Sequence, residues 1–113
     1  PGSTSTKIAV YEDENVLFEQ TVRHSTDELS AYESIAGQFD FRKAAVLDAI
    51  RDAGIDPIRF DAIIARGGLM RPVPSGIYEV NDAMYFDLSI GYQGQHASNL
   101  GGMIARRMAD ELV

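Results

Sequence analysis

Hydrophobic and polar residues alternate over the first two dozen positions of the chain. Residues 7–13 (Lys-Ile-Ala-Val-Tyr-Glu-Asp) and 16–24 (Val-Leu-Phe-Glu-Gln-Thr-Val-Arg-His) are rich in β-branched and aromatic types, and residues 13–15 between them have turn chemistry. This pattern predicts a β-hairpin. His24 has polar neighbours, so we expect it at the surface or at a sheet edge.

The apolar spacing then becomes helical. Ser25 followed by Glu28 is a capping box, so a helix should begin there and run to just before Gly37. A second helix is expected over 40–53, because apolar residues recur at near-helical spacing and Gly54 follows. Its apolar side consists of Phe39, Val46, Ile50 and Ala53.

Further elements follow in the second half. Residues 60–65 (Phe-Asp-Ala-Ile-Ile-Ala) predict a buried strand, and 76–80 a further short one. Asn81 is expected to cap a helix, and the last helix should open at Ser98 or Asn99 and continue to the end of the chain at Val113. Strands and helices in this order predict an α/β domain.

Composition narrows the function classes. The 113 residues carry a formal charge of −7, which argues against binding nucleic acid through its phosphates. The absence of cysteine excludes disulfides, thiolate metal sites and cysteine nucleophiles, and fits a reducing compartment. No apolar run approaches the ~20 residues of a membrane span, so we expect no membrane association.

The first candidate for chemistry is the run 2–7, Gly-Ser-Thr-Ser-Thr-Lys. A glycine lets backbone N–H groups approach a phosphate, hydroxyls donate to its oxygens, and a lysine supplies a cation. A predicted strand follows instead of the helix that a P-loop requires. A phosphate-binding turn and an unstructured terminus or cloning scar both fit these residues.

The second candidate is Arg66-Gly67-Gly68, which follows the predicted strand 60–65. In open α/β sheets ligands gather at the carboxyl ends of strands, and an arginine there can bind a carboxylate or phosphate. The glycines would permit a sharp turn and the close approach of a ligand. A strand-end turn with a solvated or ion-paired arginine is the alternative.

The third candidate is the run 96–102, His-Ala-Ser-Asn-Leu-Gly-Gly. Glycines in a first helical turn cost about 1 kcal/mol each relative to Ala, so Gly101 and Gly102 indicate a packing or ligand reason. A helix start offers free N–H donors to an anion, and His96 could donate a hydrogen bond to developing negative charge. A simple helix cap beside a loop histidine is the alternative.

These segments occur together and in order, and they resemble the acetate and butyrate kinase family. Residues 1–7 resemble its first phosphate signature, Asn-x-Gly-Ser-Ser/Thr-Ser/Thr-x-Lys. Three further segments resemble the butyrate kinase branch of that family. They are Arg-Gly-Gly-Leu at 66–69, Gly-Gln-His-Ala-Ser-Asn-Leu-Gly-Gly at 94–102 and Phe-Glu-Gln-Thr-Val-Arg-His-Ser at 18–25. The resemblance covers essentially the whole chain.

The resemblance implies a partial domain of the actin-like ATPase and sugar-kinase (ribonuclease H-like) fold, with a mixed sheet, flanking helices and its first strand missing. Residues 1–113 would be a single N-terminal acyl-kinase domain, truncated at both ends. The full-length enzyme would be a cytoplasmic homo-oligomer that uses ATP and Mg²⁺ to phosphorylate butyrate or a related short-chain carboxylate. The isolated chain is expected to be inactive.

The resemblance also assigns roles to individual residues. The phosphate-binding residues would be Gly2, Ser3, Ser5 and Lys7. The catalytic residues would be Arg66 and His96, and no residue is assigned to a metal. The substrate-binding residues would be Arg66, Gly67, Gly68 and Asn99.

Two other functions fit the sequence. One is a non-catalytic domain that associates with itself, because an empty central sheet position would leave an unpaired strand edge. The other is a different member of the same ATPase superfamily, such as an activator or a chaperone ATPase.

Overall fold

A computed structural model describes residues 1–112 of the chain. The chain opens with an antiparallel hairpin of strands β1 (Ser5–Glu12) and β2 (Asn15–Arg23). Asp13 adopts a φ of 55° at the turn that joins them, and the register shifts between Val10 and Tyr11. The predicted hairpin is confirmed.

Helices make up most of the remaining regular structure in the part of the chain that is described. The α-helices are α1 (Thr26–Ser30), α2 (Phe39–Asp52), α3 (Asp82–Ile90) and α4 (Asn99–Leu112), and short 3₁₀ turns occupy Ala36–Gln38 and Pro57–Arg59. Each predicted helix is present. The predicted end of the last helix at Val113 lies outside the described residues.

Helix α1 shows why a local signal fixes a start better than an end. The Oγ of Ser25 accepts from the Glu28 N–H at 3.0 Å, and the Glu28 carboxylate accepts from the Ser25 N–H at 2.9 Å. The helix nevertheless ends well before Gly37, so its predicted length is wrong. No residue of α1 is buried, and Ser34 starts a separate turn by accepting from the Gly37 N–H at 3.0 Å.

The hydrophobic core lies between the hairpin and three of the helices. Strand β1 contributes alternate residues, as its period of two requires. Helix α4 contributes the largest share from a single apolar stripe. The buried core consists of Ile8, Val10, Ala49, Ile50, Leu88, Leu100, Met103, Ile104 and Met108.

The strands predicted at 60–65 and 76–80 are wrong, and so is the mixed sheet that included them. Within residues 1–112 the sheet has two strands, and residues 60–80 form no regular structure. Ile64 is 75% exposed and Ile77 is 88% exposed, so neither segment is buried. A run of apolar residues becomes a strand only where a neighbouring strand pairs with its backbone, and neither segment has such a neighbour. The coarse α/β class stands.

None of the helices in the described part of the chain has the length and apolar character needed to cross a membrane.

Candidate anion-binding site

Gly101, in the first turn of α4, marks the place where the three predicted segments meet. A Cβ atom at this position would lie 3.2 Å from Cδ of Pro1, 3.3 Å from the carbonyl oxygen of Arg66 and 3.4 Å from Cβ of Ala65. The absence of a side chain therefore lets the N-terminal turn, the segment before Arg66 and helix α4 touch. A packing reason for this glycine, as predicted, is confirmed.

Neighbouring glycines shape the segment 66–69, which carries Arg66 and forms one wall of the candidate site. The N-terminal turn forms the other wall. Gly67 and Gly68 have φ angles of +80° and +98°, which only glycine adopts readily. The predicted sharp turn is not formed there, because residues 62–70 contain neither a turn nor a bend. A Cβ on Gly68 would lie 3.0 Å from a methyl carbon of Leu88, and one on Gly102 would lie 2.9 Å from the other. The backbones at Gly68 and Gly102 thus pack closely against Leu88.

Asn99 ties this wall to the loop before α4. Its carbonyl oxygen accepts from the Leu69 N–H at 2.7 Å, and its amide group donates to the Gly94 carbonyl at 2.9 Å. The residue is 1% exposed. Both ends of the side chain are occupied inside the molecule, so the observed role of Asn99 is to hold two loops together, and its contact with substrate stays a prediction.

His96 lies exposed beside the first turn of α4, and one edge of its ring is held by hydrogen bonds. The Ser98 N–H donates to Nδ1 of His96 at 3.0 Å, and the Ser98 hydroxyl lies 2.8 Å from the same atom. A backbone N–H can only donate, so Nδ1 accepts and the neutral ring carries its proton on Nε2. The outer nitrogen of His96 is therefore a hydrogen-bond donor.

The N-terminal turn is closed by a hydrogen bond from the Gly2 N–H to the Ser5 carbonyl at 2.7 Å. Beneath it lies Arg42 of α2, whose side chain is 0% exposed. Its guanidinium donates to the carbonyls of Gly2 at 2.6 Å, Ser3 at 2.9 Å and Ser5 at 3.0 Å. A buried cation thus holds the turn entirely through backbone oxygens.

This arrangement fixes which way the peptide groups face. In a trans peptide the N–H points opposite to the preceding carbonyl, and the chain has no cis bond among its described residues. Because the carbonyls of Gly2 and Ser3 face Arg42, the N–H groups of Ser3 and Thr4 face away from it. Neither N–H donates a hydrogen bond within residues 1–112, and both residues are exposed.

A second buried polar group supports Arg42. The Thr6 hydroxyl accepts from Arg42 at 3.3 Å and lies 2.8 Å from Nε2 of His24. His24 is 5% exposed and its ring contacts Phe41 of α2 at a centroid distance of 5.1 Å, so its expected surface position is wrong. Burial lowers the pKa of His24 from its ordinary value, and the nearby charge of Arg42 lowers it further.

Arg42 itself was not anticipated from the sequence. It pairs with no carboxylate among residues 1–112, and its Nε donates to Gln38 at 3.0 Å. Burial lowers the pKa of Arg42, but a guanidinium remains charged at neutral pH. A signal was present: position 42 lies three residues after Phe39 and four before Val46, which places a charge on the apolar face of the helix.

Two predicted cations lie at the surface near these segments. The Lys7 side chain is 68% exposed and pairs with Glu19 of β2 at 3.1 Å. Arg66 is exposed and forms no ion pair within residues 1–112. The structure thus joins the backbones of the three segments around Gly101, whereas the ammonium of Lys7 contacts the neighbouring strand.

The described residues contain no cluster of three or more His, Asp or Glu side chains that could hold a metal ion.

Outward N–H groups beside hydroxyls, as on the N-terminal turn, are typical of anion-binding turns. Comparison with known proteins identifies relatives of the chain. The chain is 53% identical over 112 residues to butyrate kinase 1 of Clostridium acetobutylicum, a match that covers 99% of the chain and 32% of that protein. It is 54% identical over 112 residues to a probable butyrate kinase of Clostridium botulinum (strain Eklund 17B / Type B), with the same coverage.

A third relative is butyrate kinase 2 of Clostridium acetobutylicum, 50% identical over 110 residues, or 97% of the chain and 31% of that protein. The chain is therefore homologous to butyrate kinases along nearly its whole length, and the resemblance carried by its motifs is confirmed. It spans about a third of the length of these curated relatives. No family model matches it.

Proposed function

We propose that this chain is the N-terminal part of a cytoplasmic carboxylate kinase, which converts butyrate or a related short-chain acid and ATP into an acyl phosphate and ADP. The observation that carries the proposal is the junction at Gly101, where Pro1 and Arg66 meet the first turn of α4. The relatives are named butyrate kinases, which supports butyrate as the acid.

The proposed reaction needs alignment more than it needs proton transfer. A carboxylate oxygen attacks the terminal phosphorus of ATP, a new O–P bond forms, and the bond to the ADP oxygen breaks. A carboxylate is already a nucleophile at neutral pH, so no general base is required. The protein must hold two anions in line and offset their repulsion.

The N-terminal turn would meet the phosphates. The free N–H groups of Ser3 and Thr4 face outward, and the hydroxyls of Ser3 and Ser5 lie on the same turn. When phosphate binds, the ammonium of Lys7 would leave the carboxylate of Glu19 and pair with the phosphate. An exposed ion pair contributes only about 0.2–1 kcal/mol, so a multiply charged phosphate can displace that carboxylate.

The opposite wall would meet the acid and the transferred group. Arg66 offers a guanidinium with no ion pair inside the described chain, and Gly67 and Gly68 leave room beside it. His96 would donate from Nε2 to an oxygen of the transferring phosphoryl group, since Nδ1 accepts from Ser98. These assignments of substrate contacts are part of the proposal.

Mg²⁺ belongs to the proposed full-length reaction as a partner of ATP. When bound, the ion would offset part of the negative charge on the phosphates.

The test uses full-length protein that contains this chain, incubated with butyrate, ATP and Mg²⁺ and trapped with hydroxylamine. Butyryl hydroxamate is expected, and its absence from a folded enzyme would refute the proposal. In the same protein Lys7→Ala should lower turnover without a matching loss of stability, because the side chain is exposed. Glu19→Ala is the matched control, since it breaks the same ion pair while the lysine remains.

Self-association is a second candidate, favoured by the two-stranded sheet. The outer edge of β1 pairs with no strand in the described part of the chain, and such an edge can pair with another copy. Light scattering on this chain tests the idea: a dimer or larger species is expected, and a monomer at high concentration would contradict it.

A further inference from the structure

The buried guanidinium under the N-terminal turn has no carboxylate partner within residues 1–112, which is unusual for a side chain that is 0% exposed. Burying a charge is costly unless it is paired or fully hydrogen-bonded. Arg42 meets this requirement with three backbone carbonyls, the Thr6 hydroxyl and the Gln38 amide oxygen. The burial therefore serves the conformation of the turn and not an ion pair.

We propose that Arg42 is a positioning residue for phosphate: by holding the carbonyls of Gly2, Ser3 and Ser5 inward, it presents the N–H groups of Ser3 and Thr4 outward to the terminal phosphates of ATP. The inference rests on the proposed kinase function and adds to it a residue that touches neither substrate.

The geometry of the donors explains why an arginine is needed. Its Nη1 lies 2.6 Å from the Gly2 carbonyl oxygen and its Nη2 lies 2.9 Å from the Ser3 carbonyl oxygen, so one planar group spans consecutive peptides. Nε is meanwhile fixed by Gln38 of the same helix at 3.0 Å. A lysine ammonium keeps the charge but lacks this planar fork, so it cannot hold both peptides and an anchor on α2 in the same geometry.

The charge adds to the orientation. A phosphate on the outward N–H groups would have the turn's peptide dipoles pointing at it, with a cation fixed behind them. Such preorganised dipoles stabilise an anion without reorganising when it binds. The effect should concern ATP and not the carboxylate substrate, which the proposal places at the opposite wall.

The test compares Arg42→Lys with wild type in full-length protein, using the hydroxamate assay and thermal unfolding. We expect KM for ATP to rise about tenfold to a hundredfold, the loss typical of charge-assisted hydrogen bonds, while KM for butyrate changes less than about twofold. A purely structural role would lower the amount of active enzyme and leave both KM values unchanged. Arg51→Lys, an exposed arginine on the same helix, is the matched control and should behave as wild type.

A folded Arg42→Lys protein with a wild-type KM for ATP, or with KM values for ATP and butyrate raised equally, would overturn the inference. If that variant does not fold, Gln38→Ala decides, because it frees Nε of Arg42 and keeps the charge. This variant should raise KM for ATP by a few-fold, in the same direction as Arg42→Lys. An unchanged KM for ATP would overturn the inference.

A second measurement separates failure of the kinase proposal from failure of the inference about Arg42. Should the wild-type enzyme form no butyryl phosphate, the kinase proposal fails, and inorganic phosphate becomes the probe. Its titration is then followed at the Ser3 and Thr4 amide resonances. Shifts at lower phosphate concentration in wild type than in Arg42→Lys support positioning by Arg42, and equal or absent shifts refute it.

Discussion

Two buried polar side chains, Arg42 and Asn99, fasten the two walls of the candidate site by different means. Arg42 can only donate, and it takes the carbonyls of one turn. Asn99 accepts from one loop and donates to another. Because Arg42 only donates, the N-terminal turn keeps N–H groups that face outward. The amide of Asn99 instead engages one backbone N–H and one backbone carbonyl. The comparison shows that the donors and acceptors of a buried side chain decide which backbone groups stay free to bind a ligand.

The largest expected effect comes from removing the first tie. Arg42→Met leaves three backbone carbonyls without their donor, and we expect the free energy of unfolding to fall by about 3 kcal/mol or more, because each unsatisfied buried acceptor costs about 1–3 kcal/mol. Urea unfolding of the chain measures it. Arg51→Met, on the exposed side of α2, should change stability by less than about 0.5 kcal/mol. A similar loss in both variants would show that the buried contacts are not the cause.

Removing the second tie should cost less, because fewer hydrogen bonds are lost and none involves a charge. Asn99→Leu leaves the Leu69 N–H and the Gly94 carbonyl unpaired, and we expect a loss of about 2–3 kcal/mol. Amide hydrogen exchange sharpens the comparison: exchange at Leu69 should accelerate in Asn99→Leu more than in Arg42→Met. Equal acceleration in the two variants would mean that the walls do not behave independently.

A smaller effect is expected at the glycines of α4. Alanine at either position gains about 1 kcal/mol of helix propensity, so a pair of variants isolates the contacts. Gly102→Ala places a Cβ 2.9 Å from the buried Leu88, and overpacking of about 1–3 kcal/mol should give a net loss. Gly101→Ala meets its nearest atoms at 3.2–3.4 Å and should be closer to neutral in thermal unfolding. The reverse order would contradict the packing described around Leu88.

The smallest effect is a pH dependence on the Arg42 side. The pKa of His24 is lowered by burial and by Arg42, although Glu28 of α1 opposes the shift. The unfolded state therefore binds more protons, so the stability from neutral His24 is present above the unfolded pKa of about 6.5 and declines as pH falls below it. His24→Gln should flatten the stability profile between pH 7 and the lowered pKa of the native state. An unchanged slope in urea unfolding would assign the dependence to other groups.

The elements that could be predicted from the sequence are those with local signals. The hairpin follows from alternation, α1 begins at its capping box, and α4 begins at Asn99 as expected. Residues 60–65 have the composition of a strand, but pairing depends on a neighbour that composition does not reveal. The glycine contacts at Gly101 were predicted in kind, whereas their partners could only come from the three-dimensional arrangement.

Arg42 and His24 show a second limit. Both carry polar side chains into the interior, and sequence patterns assign such residues to the surface by default. Their burial depends on carbonyls and a hydroxyl from a distant part of the chain. The site residues assigned through the resemblance remain predictions, whereas the junction that would bring them together is a property of the fold.

The hydrogen bond from Ser98 to His96 decides what kind of group the mouth of α4 can receive. Because Nδ1 accepts from the backbone, the other ring nitrogen of the neutral imidazole carries the hydrogen and is left as a donor. An oxygen atom of an incoming molecule can therefore bind there, whereas a group that has only hydrogens to offer finds no acceptor on this ring.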